Sequence, residues 1–293
     1  MSVLHSIFQP GFFSNPSVQT AAVVGAVVAL VCAPVGVFTV IRGQSFAGHA
    51  FSDITATGGS AAYLLGVNPL IGFALFGLVG GIAVEILGAE RHRDRDLVPG
   101  VILGTGLGVS ALLLYLSTTS ESTTGTAVTV MFGSIFAVSA STLPPVGGVG
   151  VVGLGLIGLV YRPLLLSSIS PDLAAAQGVR VRLVGMAYKV ALPLSVALSA
   201  LTIGAILSTA LLIGPAATAL RLARRPGAAI AWAVAIGTGA TWAGILLAYD
   251  SYTWPPAQQG WPVSFFVVVL VLVAYLLAQL KGRTGRGAST GDR

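Results

Sequence analysis

The residues of this sequence that could do chemistry are His49 and Asp53, which lie four positions apart in an apolar part of the chain. On an α-helix this spacing places both side chains on one face, about one turn apart. An imidazole and a carboxylate so arranged can share a divalent cation such as Zn²⁺ or Mn²⁺, with other ligands from neighbouring helices or water. Two ligands give a weak site, which suits a pathway that the ion must also leave.

Two other interpretations of this pair stay open on spacing alone. A buried hydrogen bond between His49 and Asp53 would merely fix helix packing, and a proton relay would use the same two side chains. The stretch around them, residues 42–59, is polar and rich in glycine. Such backbone is tolerated at membrane depth where it is buried in protein or lines a water-filled path. This stretch is therefore the best candidate for the lining of a conduit.

The composition places this pair in a membrane. Of 293 residues, 55% are hydrophobic and 8% charged, with a mean hydropathy of +0.92, whereas soluble domains carry about 25% charged residues. The net charge of +6 does not indicate a nucleic-acid partner, because the basic residues are divided among short loops. The single cysteine, Cys32, excludes an intrachain disulfide and a cysteine metal cluster. The chain is therefore an integral membrane protein.

Long apolar segments predict the membrane spans, at about 20 residues for each crossing. The candidates are residues 18–40, 50–65, 69–89, 97–116, 146–161, 183–200, 202–222, 228–249 and 262–280. Segment 126–138 is too short to cross and is predicted to be re-entrant or interfacial. We therefore predict an all-α polytopic protein of eight or nine transmembrane helices. Residues 1–293 form one domain, with 17–280 in the membrane and 281–293 as a basic cytoplasmic tail, predicted to be disordered.

The basic residues predict the orientation, because arginine and lysine collect on the cytoplasmic side. With nine spans the basic loops fall on one side, so the N-terminus is predicted outside and the C-terminus inside. Lys189 lies within a span and can extend its amine to the cytoplasmic interface. Glu85 lies near the end of its span and is predicted to pair with the arginines of the next loop, Arg91, Arg93 and Arg95.

The loop on the opposite side is rich in aromatic residues: Tyr249, Tyr252, Trp254 and Trp261. Rings at this depth usually anchor helix ends among the lipid headgroups. The alternative is a docking surface for an external partner.

A second pattern lies on the predicted cytoplasmic side. Ser170 as N-cap, Pro171 in the first turn and Gly178 as a stop predict a short helix of about two turns. Such a helix is either a structural connector or a knob that docks into a partner protein. The chain itself lacks the Gly-Lys-Ser/Thr end of a phosphate-binding loop, since Lys189 precedes valine and Lys281 precedes glycine. It is therefore not predicted to bind ATP by that device.

From about residue 24 to 280, the chain resembles the permease subunits of the ABC importers of zinc, manganese and iron, often called ABC-3. The resemblance rests on the order and spacing of several motifs. They are the stretch 42–50 with its His/Asp pair, LGVNP at 65–69, DRDLVPGV at 94–101, MFGSIFAV at 131–138, the helix at 170–179, and LLIGPAATALRLARR at 211–225.

The resemblance implies a type II ABC importer-like permease in a bacterial plasma membrane, paired with a second permease copy. It implies a separate cytoplasmic ATP-binding subunit dimer and an extracytoplasmic protein that delivers the metal. The resemblance further implies that no cofactor is tightly bound, because the divalent metal is the cargo and ATP belongs to the partner. It implies that the face of His49 and Asp53 is the metal pathway. It also implies an ATPase-coupling helix that comprises Pro171, Asp172, Leu173, Ala174, Ala175, Gln177 and Gly178.

The His/Asp pair departs from the pattern that many members of this family show. Many have the acidic residue first, histidine four positions later, and then Pro-Gly. Here His49 precedes Asp53, and Thr57-Gly58-Gly59 follows. The reversed order keeps the ligand chemistry, while the choice among zinc, manganese and iron stays open.

Functions from other classes are weighed against metal import. A proton-coupled secondary transporter would use the same pair as a proton relay and need no ATPase. A membrane anchor without transport is disfavoured by the buried ionisable pair. A vitamin or siderophore permease would be expected to have more spans and a longer chain.

Overall fold

The computed structural model describes residues 11–88, 97–121, 125–254 and 260–287. Within these residues the chain forms α-helices joined by short turns, and no β-strand. The helices are α1 (Pro16–Ile41), α2 (Ser45–Leu64), α3 (Pro69–Gly88), α4 (Leu97–Glu121), α5 (Gly125–Phe132), α6 (Leu143–Ile169), α7 (Pro171–Ala176), α8 (Val181–Ile203), α9 (Ala205–Leu222), α10 (Pro226–Asp250) and α11 (Val263–Gly287). Single 3₁₀ turns lie at Ile135–Ala137, Ala140–Thr142 and Ser251–Thr253.

The number of helices able to cross a membrane is slightly lower than predicted. Within the described residues, 7 helices are long and apolar enough, against the eight or nine expected. The prediction also counted α2 and α3. α2 is less apolar because it carries His49, Asp53 and several hydroxyl residues. α3 counts only over the stretch Pro69–Ala83, because the side chains of its last residues lie outside the described part. The all-α architecture itself is confirmed.

Some predictions concern residues outside the described part. The side chain of Glu85, its predicted partners Arg91, Arg93 and Arg95, and tail residues 288–293 all lie there. α11 continues to Gly287, beyond the predicted end of the last span at residue 280.

Helix α1 lies at the centre of the helical bundle. It begins where Asn15 caps it, the side chain accepting a hydrogen bond from the Ser17 N–H at 3.0 Å. α1 then packs against α6, α8, α9 and α10, with most of its length buried. At Gly36 a side chain would collide with the backbone of Leu212 on α9. The two helices therefore touch backbone to backbone, as small residues allow in membrane proteins.

Helix α2 carries the His/Asp pair and packs chiefly against α3 and α4, with α8 and α9 on its other side. Its contact with α3 is also made by glycine. A Cβ on Gly58 would collide with the carbonyl of Gly72, and a Cβ on Gly72 would collide with the carbonyl of Gly58. The Thr57-Gly58-Gly59 stretch that departs from the family pattern is therefore a close helix crossing.

We expect Gly58→Ala to destabilise the permease by about 1–3 kcal/mol, because the added methyl group would force α2 and α3 apart. The matched control is Gly104→Ala on α4, where nothing lies within 4 Å of the added atom. Thermal unfolding of the two purified variants in detergent would show the difference. Equal midpoints of thermal unfolding for the two variants would contradict the close crossing of α2 and α3.

Helix α5 is too short to cross the membrane. Its 8 residues extend about 12 Å, against a hydrocarbon core of about 30 Å. The chain then turns at Gly133, whose φ is +72°, and lies against Gly204, whose φ is +86°. Gly204 separates α8 from α9, and a side chain on either glycine would collide with the other backbone. Segment 126–138, predicted to be re-entrant or interfacial, is thus held against the break between two long helices.

Candidate metal pathway

The structure places His49 and Asp53 one turn apart on the same face of α2. Asp53 is 7% exposed and His49 is half-buried. A carboxylate so enclosed in a membrane helix is costly unless it has a functional or structural partner. The two side chains are therefore brought together as the spacing predicts.

The imidazole of His49 makes its hydrogen bond to another helix and not to Asp53. Its Nδ1 lies 3.2 Å from Oγ1 of Thr209 on α9. One turn along α2, Ser52 Oγ donates to the carbonyl of Ala205 on α9, and its oxygen lies 2.6 Å from Ser208 Oγ. The face of α2 that carries the pair is therefore tied to α9 by consecutive hydroxyl groups.

Helix α4 closes the site from another side. Thr57 Oγ1 donates to the carbonyl of Gly106 at 2.7 Å. A Cβ on Gly106 would lie 3.1 Å from the Ile54 nitrogen and 3.2 Å from the Asp53 carbonyl carbon. Further along, Ser60 and Ser110 hydroxyls lie 3.2 Å apart. The backbone at Asp53 therefore packs closely against α4.

The protein groups here could hold a metal ion only in part. Asp53 offers a carboxylate and His49 an imidazole nitrogen, both common ligands for manganese and zinc. Among the described residues no cluster of three or more His, Cys, Asp or Glu side chains forms. Further ligands would have to be water, hydroxyl or carbonyl oxygens, or groups from outside these residues. The arrangement fits a weak, transient site.

Arg42 lies in the turn between α1 and α2 and contacts two other helices. It follows α1 directly, and its guanidinium donates to Ser168 Oγ on α6 at 3.3 Å. The same group lies 5.1 Å from the ring centre of Tyr188 on α8. Tyr188 in turn has its hydroxyl 2.9 Å from Thr39 Oγ1 on α1. Ser168 lies three residues before α7 and Arg42 three residues before α2, so this hydrogen bond joins the segments that precede the two helices.

The short helix α7 has the caps that the sequence predicts. The Leu173 N–H donates to Ser170 Oγ at 3.3 Å, and Gly178 turns the chain with φ +79°. Ala174 is fully buried, while Leu173 is 50% exposed. α7 is thus fastened to the body of the permease through one alanine and presents the rest of its surface outward.

The aromatic residues of the opposite loop lie together. Trp254 and Trp261 contact each other with ring centres 6.2 Å apart, and both contact Phe266 at the start of α11. Trp261 is 48% and Tyr252 60% exposed. This packing is compatible with either an anchor in the headgroup layer or a docking surface.

Comparison with known proteins identifies the family. The sequence model described as "ABC 3 transport family" matches residues 14–280. The chain belongs to the ABC-3 family. The resemblance found in the sequence motifs is confirmed, and with it the permease fold.

Relatives of this ABC-3 protein include importers of two metals. The manganese import system permease protein ScaB of Streptococcus parasanguinis is 31% identical over 232 residues, which cover 79% of this chain and 81% of ScaB. The high-affinity zinc uptake system membrane protein ZnuB of Haemophilus influenzae is 28% identical over 237 residues, which cover 80% of this chain and 90% of ZnuB.

A solved structure supports the same architecture. The structure of PsaBC from Streptococcus pneumoniae in complex with Fab matches this chain with a TM-score of 0.77 and 27% sequence identity, over 92% of each chain. The predicted type II importer-like permease fold is confirmed. The roles of His49, Asp53 and α7 remain predictions.

The sequence did not indicate two residues of the site, Ser208 and Thr209 on α9. The available signal was two consecutive hydroxyl residues within an apolar span. That signal is weak, because serine and threonine in membrane helices commonly bond to their own backbone.

Proposed function

We propose that this ABC-3 protein is the membrane subunit of an ATP-driven importer of manganese or zinc. The observation that carries the proposal is the pair His49 and Asp53, enclosed between α4 and α9 in a permease whose relatives include manganese and zinc importers. A carboxylate and an imidazole can bind either ion, and a site of two protein ligands releases it readily. Neither the family nor the relatives support the proton-coupled alternative.

The orientation proposed for the chain is an outside N-terminus and an inside C-terminus. Exposed arginines lie at the start of α8 and between α9 and α10, on the side that the positive-inside rule places in the cytoplasm: Arg180, Arg182, Arg224 and Arg225. The aromatic loop between α10 and α11 then faces outward. An extracytoplasmic metal-binding protein would release the ion on that side.

The partner proposed for α7 is a cytoplasmic ATPase dimer, one ATPase to each of two permease copies. The exposed side chains of α7 would seat in the ATPase, and the buried Ala174 would hold the helix to the permease. Movement of α7 could then reach α2 through Ser168 and Arg42, which are in contact. ATP binding and hydrolysis would in this way change access to His49 and Asp53.

A cellular experiment tests the proposed function. Cells that lack the gene would be grown under metal limitation, with and without a plasmid carrying it, and their manganese and zinc measured by mass spectrometry. We expect the plasmid to restore the content of at least one of the two metals. An unchanged content of both would contradict the proposal.

A further inference from the structure

We propose that Thr209 orients His49 for metal binding, a positioning role that rests on the proposed function. The Thr209 hydroxyl lies 3.2 Å from Nδ1 of the imidazole. If Nδ1 carries the ring proton and donates it to Thr209, the lone pair of Nε2 is left for a metal ion. The opposite tautomer would place a proton on Nε2 and prevent ligation.

The surroundings of Thr209 explain why its hydroxyl serves the imidazole. Threonine in a membrane helix usually donates to the carbonyl four residues before it, as Thr218 on the same helix does to Gly214 at 2.8 Å. For Thr209 that carbonyl belongs to Ala205. It already accepts hydrogen bonds from Ser52 and, at 2.9 Å, from Ser208. The Thr209 hydroxyl is thereby directed towards His49.

The helix that carries Thr209 is itself firmly placed. α9 touches the backbone of α1 at Gly36, and a side chain on Gly214 would collide with Val271 of α11. Ser199 on α8 donates to the Ser208 carbonyl at 3.1 Å. Because α9 is held from three sides, a hydrogen bond to Thr209 restricts the direction of the imidazole as well as its tautomer. Partners of this kind raise the affinity of a histidine for its metal.

The test compares Thr209→Val, which keeps the shape and removes the hydroxyl, with Thr209→Ser, which keeps the hydroxyl. Permease and ATPase are purified together and reconstituted with the binding protein, and the half-saturating concentrations of manganese and zinc are measured for uptake. We expect Thr209→Val to raise the value for the transported metal about 10–100-fold, with a maximal rate close to wild type, and Thr209→Ser to leave it unchanged. Thr218→Val is the control, because that hydroxyl bonds to its own helix.

A second measurement does not depend on transport. Carbethoxylation of His49 by diethyl pyrocarbonate is followed by mass spectrometry, and the metal concentration that protects the ring should rise in Thr209→Val by the same factor. If Thr209→Val does not assemble, Thr209→Ala takes its place with the same expectation. The inference is overturned if Thr209→Val has the wild-type half-saturating metal concentration and the metal protects His49 at the wild-type concentration. The proposed function fails separately, if the wild-type complex takes up neither manganese nor zinc.

Discussion

Replacing either His49 or Asp53 with alanine is expected to abolish metal-dependent uptake while the permease still assembles with its ATPase. Each substitution removes one of two protein ligands from a site in which the described residues supply no third titratable ligand. Loss of a partner that only orients a ligand typically lowers metal affinity 10–100-fold, so loss of a ligand itself should cost at least about 100-fold. Uptake of radioactive manganese and zinc by whole cells measures the effect.

Two further variants separate ligand loss from damage to the fold. Asp53→Asn keeps the shape of the side chain and removes its charge, so it should be as inactive as Asp53→Ala. Ser60→Ala alters the same helix two turns away, where the hydroxyl lies 3.2 Å from Ser110, and should retain uptake. Wild-type uptake in both His49→Ala and Asp53→Ala would contradict the assignment of these residues as the metal site.

The second large effect is expected at α7. Leu173→Asp replaces an apolar side chain, 50% exposed on the proposed coupling helix, with a charged one. Loss of one apolar anchor from a protein interface commonly costs 1–2 kcal/mol or more, about tenfold in affinity. We expect the ATPase to copurify with this variant at least about tenfold less well, and uptake to fall with it.

The control for α7 is Arg224→Gln in the loop between α9 and α10. Arg224 is exposed and lies in another loop of the predicted cytoplasmic face. Its replacement should leave ATPase binding near the wild-type level. If Leu173→Asp binds the ATPase as well as Arg224→Gln does, α7 is a structural connector.

The sequence was sufficient for the local features of the fold. Hydropathy located the long helices, and Ser170, Pro171 and Gly178 predicted α7, because caps and stops depend on neighbouring residues alone. The boundary between α8 and α9 was less well predicted. It was placed near residue 201, whereas the helices separate at Gly204, where the close contact with Gly133 requires glycine on both sides.

The site was predictable in part for the same reason. The i, i+4 spacing of His49 and Asp53 is a local property and placed both on one face of α2. That Thr209 would bond to His49 depends on which helix packs against that face, and on Ser52 and Ser208 occupying the Ala205 carbonyl. Contacts between distant parts of the chain are decided by tertiary packing, which hydropathy does not encode.

The most direct test of ATP-driven metal import through His49 and Asp53 is reconstitution of the permease with its ATPase and binding protein in proteoliposomes. Metal accumulation is followed with ATP, or with a pH gradient alone. The wild-type complex is predicted to accumulate manganese or zinc only with ATP. The Asp53→Asn complex should hydrolyse ATP in the absence of metal and accumulate neither metal. Accumulation driven by the pH gradient alone, or equal accumulation by Asp53→Asn and wild type, would contradict the account.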